Sequence, residues 1–218
     1  MPKHLQRDLA VLKKEILRVG AMVEEAVTNA ILSLVDRRPE LALEVKAGDR
    51  AIDAKEVQVE EECLKILALH QPVAADLRYV VAVMKVNNDL ERVGDLAANI
   101  AARAASLGAL EPVAIPDDIS EMASKVRAML RDSLNALVEL NTSLAYSVLK
   151  ADDEVDCRHR QFFTVIEERI RRSPEEIETA IQLLSVSRYL ERMADLATNI
   201  AEDVVFMVDG EVIRHQAS

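Results

Sequence analysis

Residues 89–101 read DLERVGDLAANIA, and residues 189–201 read YLERMADLATNIA. Nine of the thirteen positions are identical, and the copies lie 100 residues apart in a chain of 218. Repetition on that scale means two copies of one structural unit. Packing accounts for the repeated Leu, Ala and Ile. It does not account for the repeated oxygen donors. Both copies keep Glu, Asp and Asn at i, i+4 and i+8, as Glu91, Asp95, Asn99 and Glu191, Asp195, Asn199.

The repeat continues upstream. LALEVKAGDRAID (41–53) aligns with LAYSVLKADDEVD (144–156). With Gly 5, Pro 6, 3% aromatic residues and no Trp, the chain has little turn chemistry and the composition of long packed helices. The breakers predict six of them. The first covers about 5–34, and Pro39 opens the second, which continues to about 68. Gln71-Pro72 opens the third, which carries the first motif and ends near Gly108. The fourth covers about 118–140, and Asn141 caps a fifth that runs to about 172. Ser173-Pro174-Glu175-Glu176 reads as a capping sequence for the sixth, which Asp209-Gly210 stops.

The predicted fold is therefore all-α: two pseudo-symmetric antiparallel three-helix bundles, placed end to end. The first repeat covers residues 1–108 and the second 118–218. Residues 109–117, with two Pro, form the linker. On the third helix Val86, Leu90, Val93, Ala97, Ile100 and Ala104 follow the 3–4 spacing of a bundle core.

Positions i, i+4 and i+8 of a helix span only about 80° of its circumference. Glu91, Asp95 and Asn99 thus form one stripe, pointing away from the apolar one. The second helix of each half adds an acidic pair: Asp49 and Asp53 in the first, Asp152 and Asp156 in the second. Glu56 and Glu60 continue that flank in the first half, where the second has His159 and Phe163. Like charges at i, i+4 weaken a helix by a few tenths of a kcal/mol, and a bound cation offsets that. Carboxylate and amide oxygens suit Mg²⁺, Mn²⁺, Ca²⁺ or iron rather than a structural zinc. A single E-x-x-x-D is usually a solvated helix face; its recurrence beside a second acidic pair favours a ligand role. Arg92 and Arg192 also recur and read as ion-pair partners that orient the acids. Asp76 and Arg78 read as a helix cap and a surface cation.

A net charge of −11, with no basic face, disfavours nucleic acid and favours cations or basic protein surfaces. The opening MPKHLQRDLA predicts no secretory signal, and no run of apolar residues is long enough to span a membrane. Cys63 and Cys157 do not match across the repeat and are expected as free thiols. No Gly-rich phosphate loop and no specific Ser/His/Asp or Cys/His set marks an enzyme.

HQPVAADLRYVVAVMKVNNDLERVGDLAANIA (70–101), SRYLERMADLATNIAEDV (187–204) and the two D-x-x-x-D segments together resemble the PhoU family of accessory regulators of bacterial phosphate uptake. The resemblance covers nearly the whole chain. It implies metal clusters on the bundle surfaces, held by Asp49, Asp53, Glu91 and Asp95 with Asn99 nearby, and by Asp152, Asp156, Glu191 and Asp195 with Asn199 nearby. Iron, manganese or magnesium would be the ions, with zinc the poorer fit. It implies no enzymatic activity. The expected role is a cytoplasmic adaptor, commonly a homodimer, that represses the phosphate-starvation response. Its partners would be the ATPase subunit of the phosphate ABC transporter and the phosphate-sensing histidine kinase, so it would meet membranes only through those complexes. Two other readings stay open: a metal-storage or metal-dependent phosphoesterase-like helical protein, and a metal-free helical scaffold.

Overall fold

The computed structural model of the chain describes residues 3–108, 110 and 114–213. Six helices carry the fold: α1 (Lys3–Val35), α2 (Pro39–His70), α3 (Ala74–Gly108), α4 (Asp117–Glu139), α5 (Thr142–Arg172) and α6 (Ile177–Asp209). The expected linker at 109–117 falls partly outside the described residues.

Local chemistry sets several of the helix ends. Arg37 adopts a left-handed conformation and Pro39 then supplies the preset φ of a first helical turn. Gln71 is also left-handed, and its N–H closes α2 on the Leu67 carbonyl at 3.2 Å. That geometry uses up residues 71–73, so α3 begins two residues later than Pro72 suggests. The Asn141 side chain accepts from the Leu144 N–H at 3.0 Å, which caps α5. Ser173 corrects the expected capping box: its hydroxyl caps nothing. Its N–H closes α5 on Arg169, and its carbonyl accepts from Glu176 N–H at 3.0 Å, making one 3-10 turn at Pro174–Glu176 before α6. Gly210, at φ 77°, accommodates the left-handed cap that stops α6.

On α1, Leu12, Ile16, Val19, Val23, Val27, Ala30 and Leu34 fall at three- and four-residue steps and are all buried. The same spacing buries Val86, Leu90, Val93, Ala97 and Ile100 on α3, and Leu190, Met193, Ala197 and Ile200 on α6. Each repeat is a three-helix bundle, α1–α2–α3 and α4–α5–α6. The two are not end to end, however. α3 packs along α6 and α1 against α4, and one continuous apolar core joins both repeats. The reason lies in α3 and α6, which bury more than one face, so each can serve its own bundle and the partner repeat. α2 and α5 are left on the two outer sides, and do not touch each other.

Cations from the first repeat cap helices of the second. Lys13 Nζ donates to the Val138 carbonyl at 2.7 Å, at the end of α4. Arg78 Nε donates to the Met207 carbonyl at 3.1 Å, at the end of α6. Both satisfy terminal carbonyls and oppose the negative pole of the helix. Arg78 is therefore a tie between the repeats, not a plain surface cation.

Candidate metal centre

Both acidic helix pairs meet where the outer helix of a repeat lies on its third helix. In the first repeat, α2 presents Asp49 and Asp53 toward Asp95 on α3. One carboxylate oxygen from each of the three lies within 4.8 Å of the others. The close approach of the helices is local. A Cβ on Gly94 would lie 3.2 Å from Cδ1 of Ile52, so glycine there lets α2 settle onto α3 between the two acidic turns. Glu91, one turn before Asp95, is half-buried beside them. Its carboxyl is held above the ordinary glutamate range by burial first, then by the charges of Asp95, Asp53, Glu56 and Asp49. Asp49 is raised by burial and by Asp53 and Asp95. Glu56 joins the group: burial, then Glu60 and Asp53, raise it too.

In the second repeat, α5 and α6 bring Asp152, Asp156, Glu191 and Asp195 into one electrostatic group. Burial pushes Asp152 up to about 7, helped by Asp156, Asp195, Asp153 and Glu191. Its Oδ1 is closed off from solvent and accepts no hydrogen bond. Glu191 and Asp195 are also raised, mainly by burial, while Arg192 beside both works in the opposite direction. This cluster is looser. Among the described residues, no second trio of His, Cys, Asp or Glu approaches as closely as Asp49, Asp53 and Asp95.

Two residue pairs beside the clusters are not singled out by the acidic motifs. Asn87 Nδ2 donates to the Glu56 carbonyl at 2.8 Å and to its Oε1 at 3.3 Å. The His159 Nδ1 lies 2.7 Å from the Ser187 hydroxyl. Asn87 and Ser187 are fully buried and hold the same place in the repeat, one turn before the motif Glu. The signal was present in the sequence as a polar residue inside an apolar stripe in both copies. Burial also lowers the His159 imidazole below its ordinary value, against the pull of Asp156.

The amides stand apart. Asn99 is exposed. Asn199 lines an open groove of about 610 Å³ between α3 and α6, with Lys85, Asn88, Asp89 and Arg92. Arg92 pairs with Asp89 at 3.2 Å in that groove, and Lys85 reaches the buried Asp203 at 3.0 Å. Arg92 thus serves the seam between the repeats, whereas Arg192 acts on the second acidic cluster.

The donor set fits a cation. Three mutually close carboxylates, unfavourable without a counter-charge, suit a hard ion bound through oxygen. The buried, unbonded Oδ1 of Asp152 likewise lacks a positive partner. Asp53 and Asp95 in the first cluster and Asp195 in the second are exposed, so an ion can reach both from solvent. The two thiols are free; Cys63 is buried, with its thiol pushed up to about 12 by burial, and Cys157 is exposed. Among the described residues, no helix is long and apolar enough to cross a membrane.

The family model described as PhoU domain matches the chain twice, over residues 16–104 and 119–204. A phosphate-specific transport system accessory protein PhoU homolog from Aquifex aeolicus is 36% identical over 212 residues, covering 97% of this chain and 96% of the relative. The protein of the same description from Caulobacter vibrioides is 35% identical over 215 residues, covering 98% of this chain and 94% of that one. The crystal structure of PhoU from Pseudomonas aeruginosa superposes with a TM-score of 0.92 at 32% identity, covering 94% of this chain and 99% of that chain. That of the phosphate transport system regulatory protein PhoU from Streptococcus pneumoniae gives 0.86 at 30% identity, covering 95% and 98%.

Proposed function

This chain belongs to the PhoU family, and we propose that it regulates phosphate uptake as an accessory protein and represses the phosphate-starvation response. It does so as a non-enzymatic adaptor at the cytoplasmic face of the membrane, between the ATPase subunit of the phosphate ABC transporter and the phosphate-sensing histidine kinase. The observation that carries this reading is the match of both repeats to the family at near-complete length of both chains. The acidic balance of −11 suits docking on basic surfaces of membrane complexes.

In this reading the carboxylate clusters hold cations and so shape the docking surface. Asp49, Asp53, Glu91 and Asp95 form the first site, and Asp152, Asp156, Glu191 and Asp195 the second, with Asn99 and Asn199 one turn beyond. A bound iron, manganese or magnesium ion would neutralise each cluster and join the outer helix to the third. The protein works as a homodimer of two-repeat chains divided at residues 109–117. Exposed Leu43, Val57 and Leu64, spaced by multiples of seven along α2, supply apolar surface for that association.

The test is genetic. Delete the gene in its source bacterium, grow the cells in excess phosphate, and measure alkaline phosphatase. High activity that the intact gene returns to low supports repression; activity that stays low without the gene overturns it. Complementation with the Asp95→Asn, Asp195→Asn double variant then asks whether the clusters matter to that role.

A further inference from the structure

We propose that two copies of this chain associate through their α2 helices, packed antiparallel about a two-fold axis, with Arg50 of each copy opposite Glu61 of the other. This rests on the homodimer reading and fixes its face, direction and register. α2 is apolar on two opposite sides. Val45, Ile52, Val59 and Ile66, at seven-residue steps, are buried in the core. On the far side Leu43, Arg50, Val57 and Leu64, again at seven-residue steps, are exposed. Four residues beyond each of these lie Ala47, Ala54, Glu61 and Ala68, also exposed. Alternating steps of four and three, kept from 43 to 68, form the seam of a coiled coil about 38 Å long. The fold does not demand such a seam. α5 holds the place of α2 in the second repeat, yet five of the eight matching positions there are charged: Lys150, Asp153, Arg160, Glu167 and Arg171.

The strip complements itself in one direction. Setting Arg50 of one copy against Glu61 of the other, antiparallel, brings Ala54 opposite Val57, Ala47 opposite Leu64 and Leu43 opposite Ala68. Each apolar layer then joins a small residue to a larger one, which keeps the two helices evenly spaced. Each charged layer joins opposite signs, and the two-fold axis repeats every layer. Among the described residues neither Arg50 nor Glu61 is paired within its own chain, so both charges are available to a partner. Parallel packing sets Arg50 on Arg50 and Glu61 on Glu61, and alternates wide leucine layers with narrow alanine ones. Asp53 and Glu60 flank the seam on one side and oppose the pairing, but both are exposed, where salt and water weaken the repulsion. An exposed, regularly spaced apolar strip of this length is costly on a lone chain, and a second copy covers it completely.

Sedimentation equilibrium of the full chain measures the dimer constant. Arg50→Glu and Glu61→Arg each put like charges into both charged layers, and each is expected to weaken the dimer by at least about tenfold. An equal mixture of the two variants restores opposite charges, as does the chain that carries both changes. Both should associate as tightly as the parent, a recovery that misfolding does not mimic. Arg160→Glu, on the matching strip of α5, should leave the constant unchanged. A parent chain that stays monomeric at high micromolar concentration overturns the proposal and the homodimer reading together. A dimer insensitive to the single changes, or a double variant no tighter than the singles, overturns the α2 pairing and leaves the homodimer standing. Neither result touches the phosphate-regulatory role, which the genetic test decides.

Discussion

Gly94 on α3 and Ile52 on α2 meet so closely that a Cβ at residue 94 would lie 3.2 Å from the isoleucine Cδ1. The second repeat places Ala194 and Val155 at the same two positions, both fully buried. One methyl has moved across the seam, and the combined volume is conserved. Gly94→Ala alone should overpack the seam and weaken the Asp49, Asp53 and Asp95 cluster. Ile52→Val alone should cost about 1 kcal/mol for the lost methyl. Together they should couple favourably by roughly 1 kcal/mol, because the added methyl fills the space that the other vacates. Urea denaturation of the four proteins closes the cycle; additive effects would refute the pairing.

Asp→Asn changes at the clusters keep shape and remove charge. Asp95→Asn with Asp195→Asn should lower divalent cation affinity by at least about tenfold at each cluster, since a neutral amide replaces a charged ligand. Metal analysis after dialysis against Mn²⁺ or Fe²⁺ measures the loss. Unchanged metal content would remove these residues from the ligand set.

Asp152 makes the metal-free protein sensitive to pH. Its folded pKa, about 7, lies above the ordinary 3.8. The folded state therefore binds the proton more tightly, and stability falls as pH rises from about 4 to about 7, then levels off. Asp8, Glu15 and Glu40 are held below their ordinary values by His70, Lys55 and Arg38 respectively, so their contribution is lost only toward lower pH. In the presence of a chelator the protein should be more stable at pH 5.5 than at pH 8. Asp152→Asn should flatten that difference and stabilise the pH 8 protein by on the order of 2 kcal/mol. Thermal melts at the two pH values decide it, and an Asn variant as pH-dependent as the parent would contradict the assignment.

Arg78→Ala should loosen the end of α6. It removes the Nε hydrogen bond to Met207 and its opposition to the helix dipole, at a cost of about 1 to 2 kcal/mol. Hydrogen exchange should report the loss of protection around residues 206–210, leaving the middle of α6 unchanged. A uniform change along α6 would argue against a capping role.

The thiols should report the fold by their reactivity. Cys157 is exposed and Cys63 is fully buried. One equivalent of a disulfide reagent is expected to react quickly with the native protein. The second should react only as fast as the chain opens, because a thiol pushed up to about 12 carries almost no thiolate at neutral pH. Two fast equivalents would place Cys63 at the surface.

The sequence alone determined what depends on neighbours along the chain. Helical periodicity, Pro39, Asn141 and Gly210 set the six helices and most of their ends, because caps and breakers act within a turn or two. The thirteen-residue repeat made the two-fold organisation legible, and placed the acidic residues on helical stripes. The tertiary structure decided what depends on which helices meet. The buried stripes on α3 and α6 do not say that these helices pack against each other, so the side-by-side joining of the repeats was not legible. Nor was Arg78 as the cap of a helix more than a hundred residues away. The acidic stripes could be read, but not that Asp49, Asp53 and Asp95 close into a trio while the second group stays looser. The spacing of these carboxylates is set across helices by close approaches such as Gly94 on Ile52, and those follow from the packing of side chains remote in sequence.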